Sequence, residues 1–495
     1  MRKFTCLIIL SLLFSGGISA KGYFKWSPTA KKAYKKTLEL RFAEAQQLLA
    51  TMKTAEPDNL IRLHVEDYID FFTVYIGEEE AVFKRLEARK EERLAKISED
   101  GDPESPYYLF LQADIRLHWA LARLKFEEYT TTYFETNKAF KLLNKNVRKF
   151  PDFIPNKKDL GLLHAIVGTI PDNYRWALEW VSSMEGTVAE GKQELAEVLS
   201  YAQHNDFIFT AETQVFYAYL LLHLENDPVS AWQTIQNSQL DAASSPLHTF
   251  IIANVATYAN RNDYAIKILE TCPKGAAFLS FPYLNFMLGE AKLNRLDRDA
   301  DVYFERFLNE FGGRNFIKDA YRRLSWHALL FKSTNQFKYY QKSILQHGYA
   351  IVGEDESAQL EAKEQSTVHP DLLQARLLFD GGYYERASDI LQAKSINAFQ
   401  NEQQQLEFSY RQGRINHALN NFSTAIKHYQ QTINRGRYAP HYYACRAALE
   451  QGHIYENQKN YAAARKAYKN CLTISPKEHK TGLHQQAKTG ILRIN

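Results

Sequence analysis

Hydrophobic positions along this chain recur with the period of about 3.6 residues that belongs to amphipathic helices. No long stretch alternates between apolar and polar residues, as a half-buried strand would. The 14 prolines and 22 glycines gather at the boundaries between the apolar-periodic segments, where they end helices and allow turns. The pattern predicts an all-α protein, and 495 residues are too many for one compact core.

A specific arrangement of small and aromatic residues marks the C-terminal end, ALEQGHIYENQKNYAAARKAYKNCLTISP. Gly452 and Ala464 are small enough for two antiparallel helices to approach closely, and aromatic side chains fill the grooves beside them. Pro476 prevents the second helix from continuing. The complete pattern is Gly452, Tyr455, Tyr461, Ala464, Tyr468, Cys471 and Pro476.

The same offsets recur upstream, so the chain has internal repeats. The two preceding units carry Gly413, Phe422, Ala425 and Tyr429, then Ala375, Leu378, Tyr384, Ala387 and Leu391. Less regular units follow Gly289 (Ala300, Phe304, Phe307), surround Ala328 (Phe331, Phe337, Tyr340, Ile344) and occur near the start (Phe42, Ala45, Leu49, Pro57).

This spacing resembles the tetratricopeptide repeat superfamily, specifically in residues 371–495 and more loosely in residues 21–345. The resemblance implies an α-solenoid, a right-handed superhelical array of antiparallel helical hairpins with a concave face. Some intervals between units exceed the usual repeat of about 34 residues, which predicts that several helices are longer than standard.

Two segments depart from the pattern. In residues 150–185, a Gly-Leu-rich helix after Pro155 runs into a second helix that Pro171 opens and that carries Trp176 and Trp180. It is similar to the central segment of the inclusion-body-clearance family of repeat proteins, which implies an adaptor without enzymatic chemistry. Both helices are predicted to be buried. Residues 346–370 are polar and acidic and predict a linker with a short solvent-facing helix.

The first twenty residues have the features of a signal peptide: Arg2 and Lys3, a short apolar run, and small residues before a cut after Ala20. The apolar run is shorter than the roughly 20 residues that span a bilayer. Cys6 precedes the run, so it is not a lipid-acceptor cysteine. The sequence predicts a soluble periplasmic or envelope-associated protein that is not a lipoprotein.

The net charge and the absence of catalytic motifs argue against several classes of function. The net charge of +4 falls to about +2 without Arg2 and Lys3, which gives no reason to expect nucleic-acid binding. The sequence has no glycine-rich phosphate loop, HExxH helix or GxSxG elbow, so no enzyme, cofactor or metal is predicted. Asp297, Asp299 and Asp301 are assigned to an inter-helix turn rather than a calcium loop, because Val302 stands where such a loop needs glycine.

A row of basic residues is the candidate partner-binding site. Arg376, Arg414 and His453 share the repeat position that faces the superhelix groove. Arg411 and Arg446 are expected to flank it. Guanidinium groups on a concave surface can hold carboxylates or phosphates by paired hydrogen bonds. The alternative is a row of solvated charges that Glu407, Glu450 and Glu456 offset.

The sequence therefore predicts an exported, non-enzymatic scaffold that binds a protein or peptide with an acidic segment in its groove. The alternative is a glycan-binding helical module of a nutrient-uptake system. Helical lipoproteins of that kind have a lipid-acceptor cysteine directly after the signal segment, whereas Lys21 and Gly22 stand there in this chain.

Overall fold

A computed structural model describes residues 21–168, 184–364 and 368–494. The predicted signal peptide, as well as Pro171, Trp176 and Trp180, lies outside the described residues. Within those ranges the regular structure consists of 24 α-helices, one 3-10 turn at Ile396–Ala398 and two isolated bridges, Gly22 with Gly101 and Tyr23 with Asn59. The prediction of an all-α protein is confirmed.

The N-terminal part contains the longest helices of the described chain. α4 and α6 have 21 residues each, in agreement with the long intervals between units in the sequence. The helices are α1 (Pro28–Leu38), α2 (Phe42–Ala55), α3 (Ile61–Gly77), α4 (Glu80–Asp100), α5 (Tyr107–Leu124), α6 (Tyr129–Lys149) and α7 (Pro155–Val167).

The middle of the chain is built from shorter helices. They are α8 (Val188–His204), α9 (Thr210–His223), α10 (Pro228–Gln236), α11 (Pro246–Tyr258), α12 (Asn262–Glu270), α13 (Tyr283–Arg295), α14 (Ala300–Glu310), α15 (Ile317–Phe331), α16 (Thr334–Gln346) and α17 (Gly353–Lys363). Asp297 and Asp299 lie in the turn between α13 and α14 as predicted, whereas Asp301 lies in the first turn of α14. The three carboxylates pair with Arg295, Lys292 and Lys332, respectively.

The C-terminal part consists of three regular pairs and a final helix. These are α18 (Pro370–Asp380), α19 (Tyr384–Gln392), α20 (Glu402–Ala418), α21 (Phe422–Gly436), α22 (Tyr443–Asn457), α23 (Tyr461–Thr473) and α24 (Lys480–Arg493). The two helices of each pair pack together, and α18, α20, α22 and α24 each touch the next in that order. The pairs therefore stack in a row, with these four helices on one side.

Small residues set the distance between the helices of a pair. A Cβ atom added at Gly413 would lie 2.5 Å from the ring of Tyr429, and one at Gly452 would clash with the ring of Tyr468 in the same way. Both tyrosine rings are fully buried. The glycine of the first helix thus makes room for the aromatic residue of the second, which is the role that the repeat pattern predicted.

The segment 346–370 differs from the predicted linker. Its helix α17 has one buried face and packs against α15 and α16. The carboxylate of Asp355 accepts hydrogen bonds from the backbone N–H groups of Phe316, at 2.6 Å, and Asp319, at 2.9 Å. An acidic residue that caps a neighbouring helix looks in sequence like a solvent-facing one, which explains the error.

The described chain also contacts itself over long sequence distances. The Leu279 N–H donates to the Leu40 carbonyl oxygen at 2.8 Å, and the Ser245 hydroxyl donates to the Leu38 carbonyl oxygen. Such contacts join the α1–α2 connection to the middle of the chain, which nearest-neighbour stacking of repeats does not require. No helix among the described residues is both long and apolar enough to cross a membrane.

Candidate functional site

Four of the five basic residues predicted to form the site surround one pocket. Arg376 of α18, Arg411 and Arg414 of α20, and Arg446 of α22 line a concavity of about 440 Å³. They come from the first helices of three successive pairs, so the side on which those helices touch one another carries the row of guanidinium groups. The remaining lining residues are Phe379, Asp380, Tyr410, Tyr442, His479, Gly482, Leu483 and Gln486.

Arg376 is the most accessible of the four arginines. Its side chain is 35% exposed, and its Nε atom lies 3.7 Å from the nearer carboxylate oxygen of Asp380, which is beyond hydrogen-bond distance. Its guanidinium carbon is 4.7 Å from the centroid of the Trp326 ring, so a cation–π contact orients the group. The hydrogen-bonding capacity of Arg376 is therefore open to a ligand.

Arg414 and Arg446 share a buried carboxylate. Arg446 donates from Nε to Glu450 at 2.8 Å, and Arg414 lies 3.6 Å from the same carboxylate oxygen. Arg414 also donates to the Tyr410 hydroxyl at 2.9 Å and stacks over Phe379. Burial would raise the pKa of Glu450, but the positive charges of Arg414 and Arg446 hold it well below its usual range. This carboxylate is therefore ionised at neutral pH.

Fewer carboxylates than guanidinium groups lie at the arginine pocket. Arg411 donates from Nε to Glu407 at 2.7 Å, and Glu450 serves both Arg414 and Arg446. Asp380 contributes the third carboxylate near the pocket. Four guanidinium groups therefore face three carboxylates, and the pocket keeps an excess of positive charge.

Two residues of the sequence hypothesis are placed elsewhere. His453 does not line the pocket: its Nδ1 atom lies 3.3 Å from Glu450, and its ring contacts Tyr468. Glu456 does not offset the row, because it accepts hydrogen bonds from Arg493 and from the Tyr468 hydroxyl. His453 and Glu456 lie about two and about three helical turns, respectively, beyond Arg446, where α22 meets the pocket.

The sequence analysis did not predict that residues of α24 line the pocket. His479, Gly482, Leu483 and Gln486 close one side of the pocket. The helix follows the last repeat and lacks the small–aromatic pattern, so its packing against α22 could not be inferred from the repeat. The aromatic residues Tyr410 and Tyr442 also lie at positions that the repeat comparison did not single out.

A buried cluster of charged groups in the N-terminal part was missed as well. Lys158 of α7 is fully buried, and its Nζ atom lies 3.1 Å from both Asp114 of α5 and Glu212 of α9. His64 of α3 contacts the other oxygen of Asp114 at 2.6 Å. The cluster joins four helices that are distant in sequence. A lysine near the start of an apolar helix looks like a surface residue, so the sequence pattern does not indicate the cluster.

The apolar helix α7 itself is largely buried, as predicted, with Leu160, Leu163 and Val167 in the interior. Ile166 is an exception and is exposed.

Comparison with known families agrees with the helix pairs. The profile described as tetratricopeptide repeat matches residues 446–478, which begin in α22 and include Ala464 and Tyr468. The C-terminal part of the chain contains a tetratricopeptide repeat. Its fold is that of a protein-interaction scaffold, and the comparisons indicate no catalytic family.

This repeat protein is similar to one curated relative over part of its length. It is 29% identical over 116 residues to "DnaJ homolog subfamily C member 7 homolog" of Dictyostelium discoideum. The match covers 21% of this chain and 20% of the relative, so the chain spans about a fifth of the length of the relative it matches.

Among solved structures, the protein is similar to one titled "Structure of Naa15/Naa10 bound to HypK-THB". The match has 11% identity and a TM-score of 0.21, and it covers 94% of this chain and 78% of that chain.

Proposed function

We propose that this tetratricopeptide repeat protein is an exported, non-enzymatic adaptor that holds an acidic segment of a partner protein in the arginine pocket. The observation that carries the proposal is the convergence of Arg376, Arg411, Arg414 and Arg446, from three successive helix pairs, on one pocket with fewer carboxylates than arginines. The fold supplies the rigid surface, and the row of arginines supplies the chemistry that recognises the ligand.

The geometry favours a carboxylate-bearing chain over a single small anion. The arginines follow one another along α18, α20 and α22, so successive acidic side chains of an extended segment can meet successive guanidinium groups. Hydrogen bonds between charged groups contribute about 1.5–3 kcal/mol each before screening by salt. Two or three such contacts give a measurable affinity for a short peptide.

A defined peptide tests the proposal without knowledge of the partner. The mature protein is titrated with a blocked hexaglutamate peptide, and matched hexaglutamine and hexalysine peptides serve as controls. We expect saturable binding of hexaglutamate alone, with an affinity that falls as the salt concentration rises. Equal binding of hexaglutamine, or no binding of hexaglutamate at low salt, contradicts the proposal.

Export is proposed from the sequence features of residues 1–20. Fusion of residues 1–25 to a reporter that folds only outside the cytoplasm is expected to give active reporter in a Gram-negative host. The N-terminus of the exported protein is expected at or near Lys21. Recovery of the chain with Met1 intact from envelope fractions contradicts this part of the proposal and leaves the pocket hypothesis untouched.

The aromatic residues of the pocket make a glycan the second candidate ligand. Phe379 and Tyr410, which line it, are among the residue types on which sugar rings stack. The guanidinium group of Arg414 already covers Phe379, at 4.8 Å from its centroid, which leaves less of that ring for a sugar. Neutral oligosaccharides in the same titration distinguish the two: saturable, salt-independent binding of a sugar supports the glycan module instead.

A further inference from the structure

A histidine and two glutamates meet between α7 and α8, away from the arginine pocket. The Nδ1 atom of His164 lies 2.7 Å from a carboxylate oxygen of Glu194 and 3.7 Å from one of Glu190. All three potential ligand atoms are within 4.8 Å of one another. Glu190 and Glu194 are one helical turn apart, so both carboxylates lie on the face of α8 that meets α7.

Glycines bring the two helices close enough for this arrangement. A Cβ atom at Gly191 would clash with the carbonyl oxygen of Gly161, and one at Gly186 would lie 2.5 Å from the Cα atom of His164. The contact between the helices is therefore backbone against backbone at this point. His164 is nearly buried, and its ring packs edge-on against Phe140. The imidazole is held in place before any ligand arrives.

The spacing fits a tetrahedral metal ion. Zinc binds imidazole nitrogen and carboxylate oxygen at about 2.0–2.2 Å, which places neighbouring ligand atoms about 3.4 Å apart. The observed separations from Nδ1, 2.7 and 3.7 Å, lie on either side of that value. Small side-chain rotations are enough to enclose an ion. The side chain of Glu190 is exposed, so water can reach the cluster.

The charges around this cluster also favour a cation. Among the described residues, only His164 forms an ion pair with Glu190 or Glu194, so two carboxylates share one imidazole.

A second cluster of ligand-type side chains shows why this one is preferred. Asp114, His118 and Glu212 are also close enough for a metal ion. The ammonium group of Lys158 lies 3.1 Å from both carboxylates there and supplies the positive charge that a metal ion would bring. No lysine or arginine of the described chain fills that role beside Glu190 and Glu194.

We propose that His164, Glu190 and Glu194 bind one Zn²⁺ ion, with water completing the coordination. The site then fastens α7 to α8, because His164 belongs to one helix and both glutamates belong to the other. Imidazole with carboxylates suits zinc and other transition metals, whereas Ca²⁺ takes oxygen ligands only. The ion is structural, and it stabilises the folded state in proportion to its free concentration.

The test uses the mature, tag-free protein after removal of metals with a chelator. Isothermal titration with ZnCl₂ is expected to show one site per chain, and Zn²⁺ is expected to raise the melting temperature while Ca²⁺ is not. The Glu190→Gln variant changes an exposed ligand without disturbing the core, and we expect at least tenfold weaker zinc binding. Glu197→Gln is the control, because Glu197 lies on the same helix but pairs with Lys157.

The far-ultraviolet circular dichroism of both variants should match the wild type. If Glu190→Gln binds zinc with unchanged affinity, the proposed zinc site is wrong. Absence of zinc binding to the wild-type protein at micromolar concentration overturns it as well. Neither result bears on the arginine pocket, which is tested with peptides.

Discussion

Asn315 and Glu78 are hydrogen-bonded across 237 positions of the sequence. The backbone N–H of Asn315 donates to Glu78 Oε2 at 3.0 Å, and its side-chain amide donates to the same oxygen at 2.7 Å. Lys125 pairs with the other carboxylate oxygen at 2.7 Å. Glu78 follows α3 directly in a left-handed conformation, so its side chain connects the end of that helix to the segment that precedes α15.

Removal of this connection should destabilise the protein. Asn315→Ala deletes one hydrogen bond to a buried carboxylate, and we expect a loss of about 1–3 kcal/mol in the free energy of unfolding. Urea denaturation measures it. Asn434→Ala, at an exposed position of α21, is the control and should stay within about 0.5 kcal/mol of the wild type. Equal stability of the two variants would show that the long-range contact is dispensable.

The glycines of the C-terminal helices predict two substitutions with opposite effects. Gly452→Ala should cost about 1–3 kcal/mol, because the new methyl group clashes with the buried ring of Tyr468. Gly482→Ala should stabilise the protein by about 0.5–1 kcal/mol, because a Cβ atom there meets nothing within 4 Å and alanine favours the helix. Thermal unfolding compares them. A stabilised Gly452→Ala variant would contradict the proposed packing role.

The C-terminal repeats could be predicted from sequence because their signal is local. Gly452 and Tyr468 are 16 positions apart, and the same relationship links Gly413 to Tyr429. Their spacing alone identifies a hairpin and places Arg376, Arg414 and Arg446 on its first helices. Two of the pocket arginines, Arg376 and Arg414, were therefore predicted from the repeat position, and Arg411 and Arg446 were predicted as residues that flank it.

The remainder depends on contacts between distant segments, which local patterns do not encode. Lys158 becomes buried only because α5 and α9 supply Asp114 and Glu212. Asp355 becomes buried only because α15 presents backbone N–H groups to it. His453 shares the groove position of its repeat, but Glu450 holds its ring away from the pocket. In each case a polar residue has a partner that the repeat pattern cannot indicate.

Asp355 predicts how stability depends on pH. Burial, reinforced by the negative charge of Asp319 and opposed by backbone N–H donors, raises the pKa of Asp355 from 3.8 to about 7. Between pH 4 and pH 7 the folded protein therefore keeps a proton that the unfolded chain loses. The contribution of this group to the free energy of unfolding must then fall as the pH rises through that window.

Denaturation at pH 5 and pH 8 measures this effect. Asp355→Asn cannot ionise, so its stability relative to the wild type should increase by about 1–4 kcal/mol between the two pH values. Asp389→Asn, at an exposed position of α19, is the matched control and should follow the wild type. A constant difference between Asp355→Asn and the wild type would show that Asp355 does not titrate in this range.

Cys445 and Cys471 are predicted to remain thiols in the purified protein. Cys445 lies near the start of α22 and Cys471 near the end of α23, and their Sγ atoms lie 3.5 Å apart, farther than the roughly 2.05 Å of a disulfide. Both side chains are fully buried, so oxidants have little access. Alkylation after unfolding without reductant should label Cys272, Cys445 and Cys471 in the chain from Lys21. Labelling of one cysteine alone, restored to three by reductant, would indicate a disulfide.

Arg414 and Arg376 should differ in what their removal does to stability. Arg414 donates a hydrogen bond to the Tyr410 hydroxyl, stacks over the Phe379 ring and lies near Glu450. Arg414→Ala should therefore lower both the affinity for the peptide and the melting temperature. Arg376 lies beyond hydrogen-bond distance of Asp380, and its replacement should leave the melting temperature nearly unchanged. Equal melting temperatures of the two variants would show that Arg414 contributes to ligand binding but not to the stability of the fold.

The affinity of Arg376→Ala for the hexaglutamate peptide tests the central claim most directly. Lys469→Ala is the matched control, because Lys469 is an exposed basic residue of α23 that does not line the pocket. The loss of charged hydrogen bonds should weaken peptide binding by Arg376→Ala at least about tenfold, whereas Lys469→Ala should bind like the wild type. Equal affinity of the two variants would contradict the assignment of the arginine pocket as the binding site.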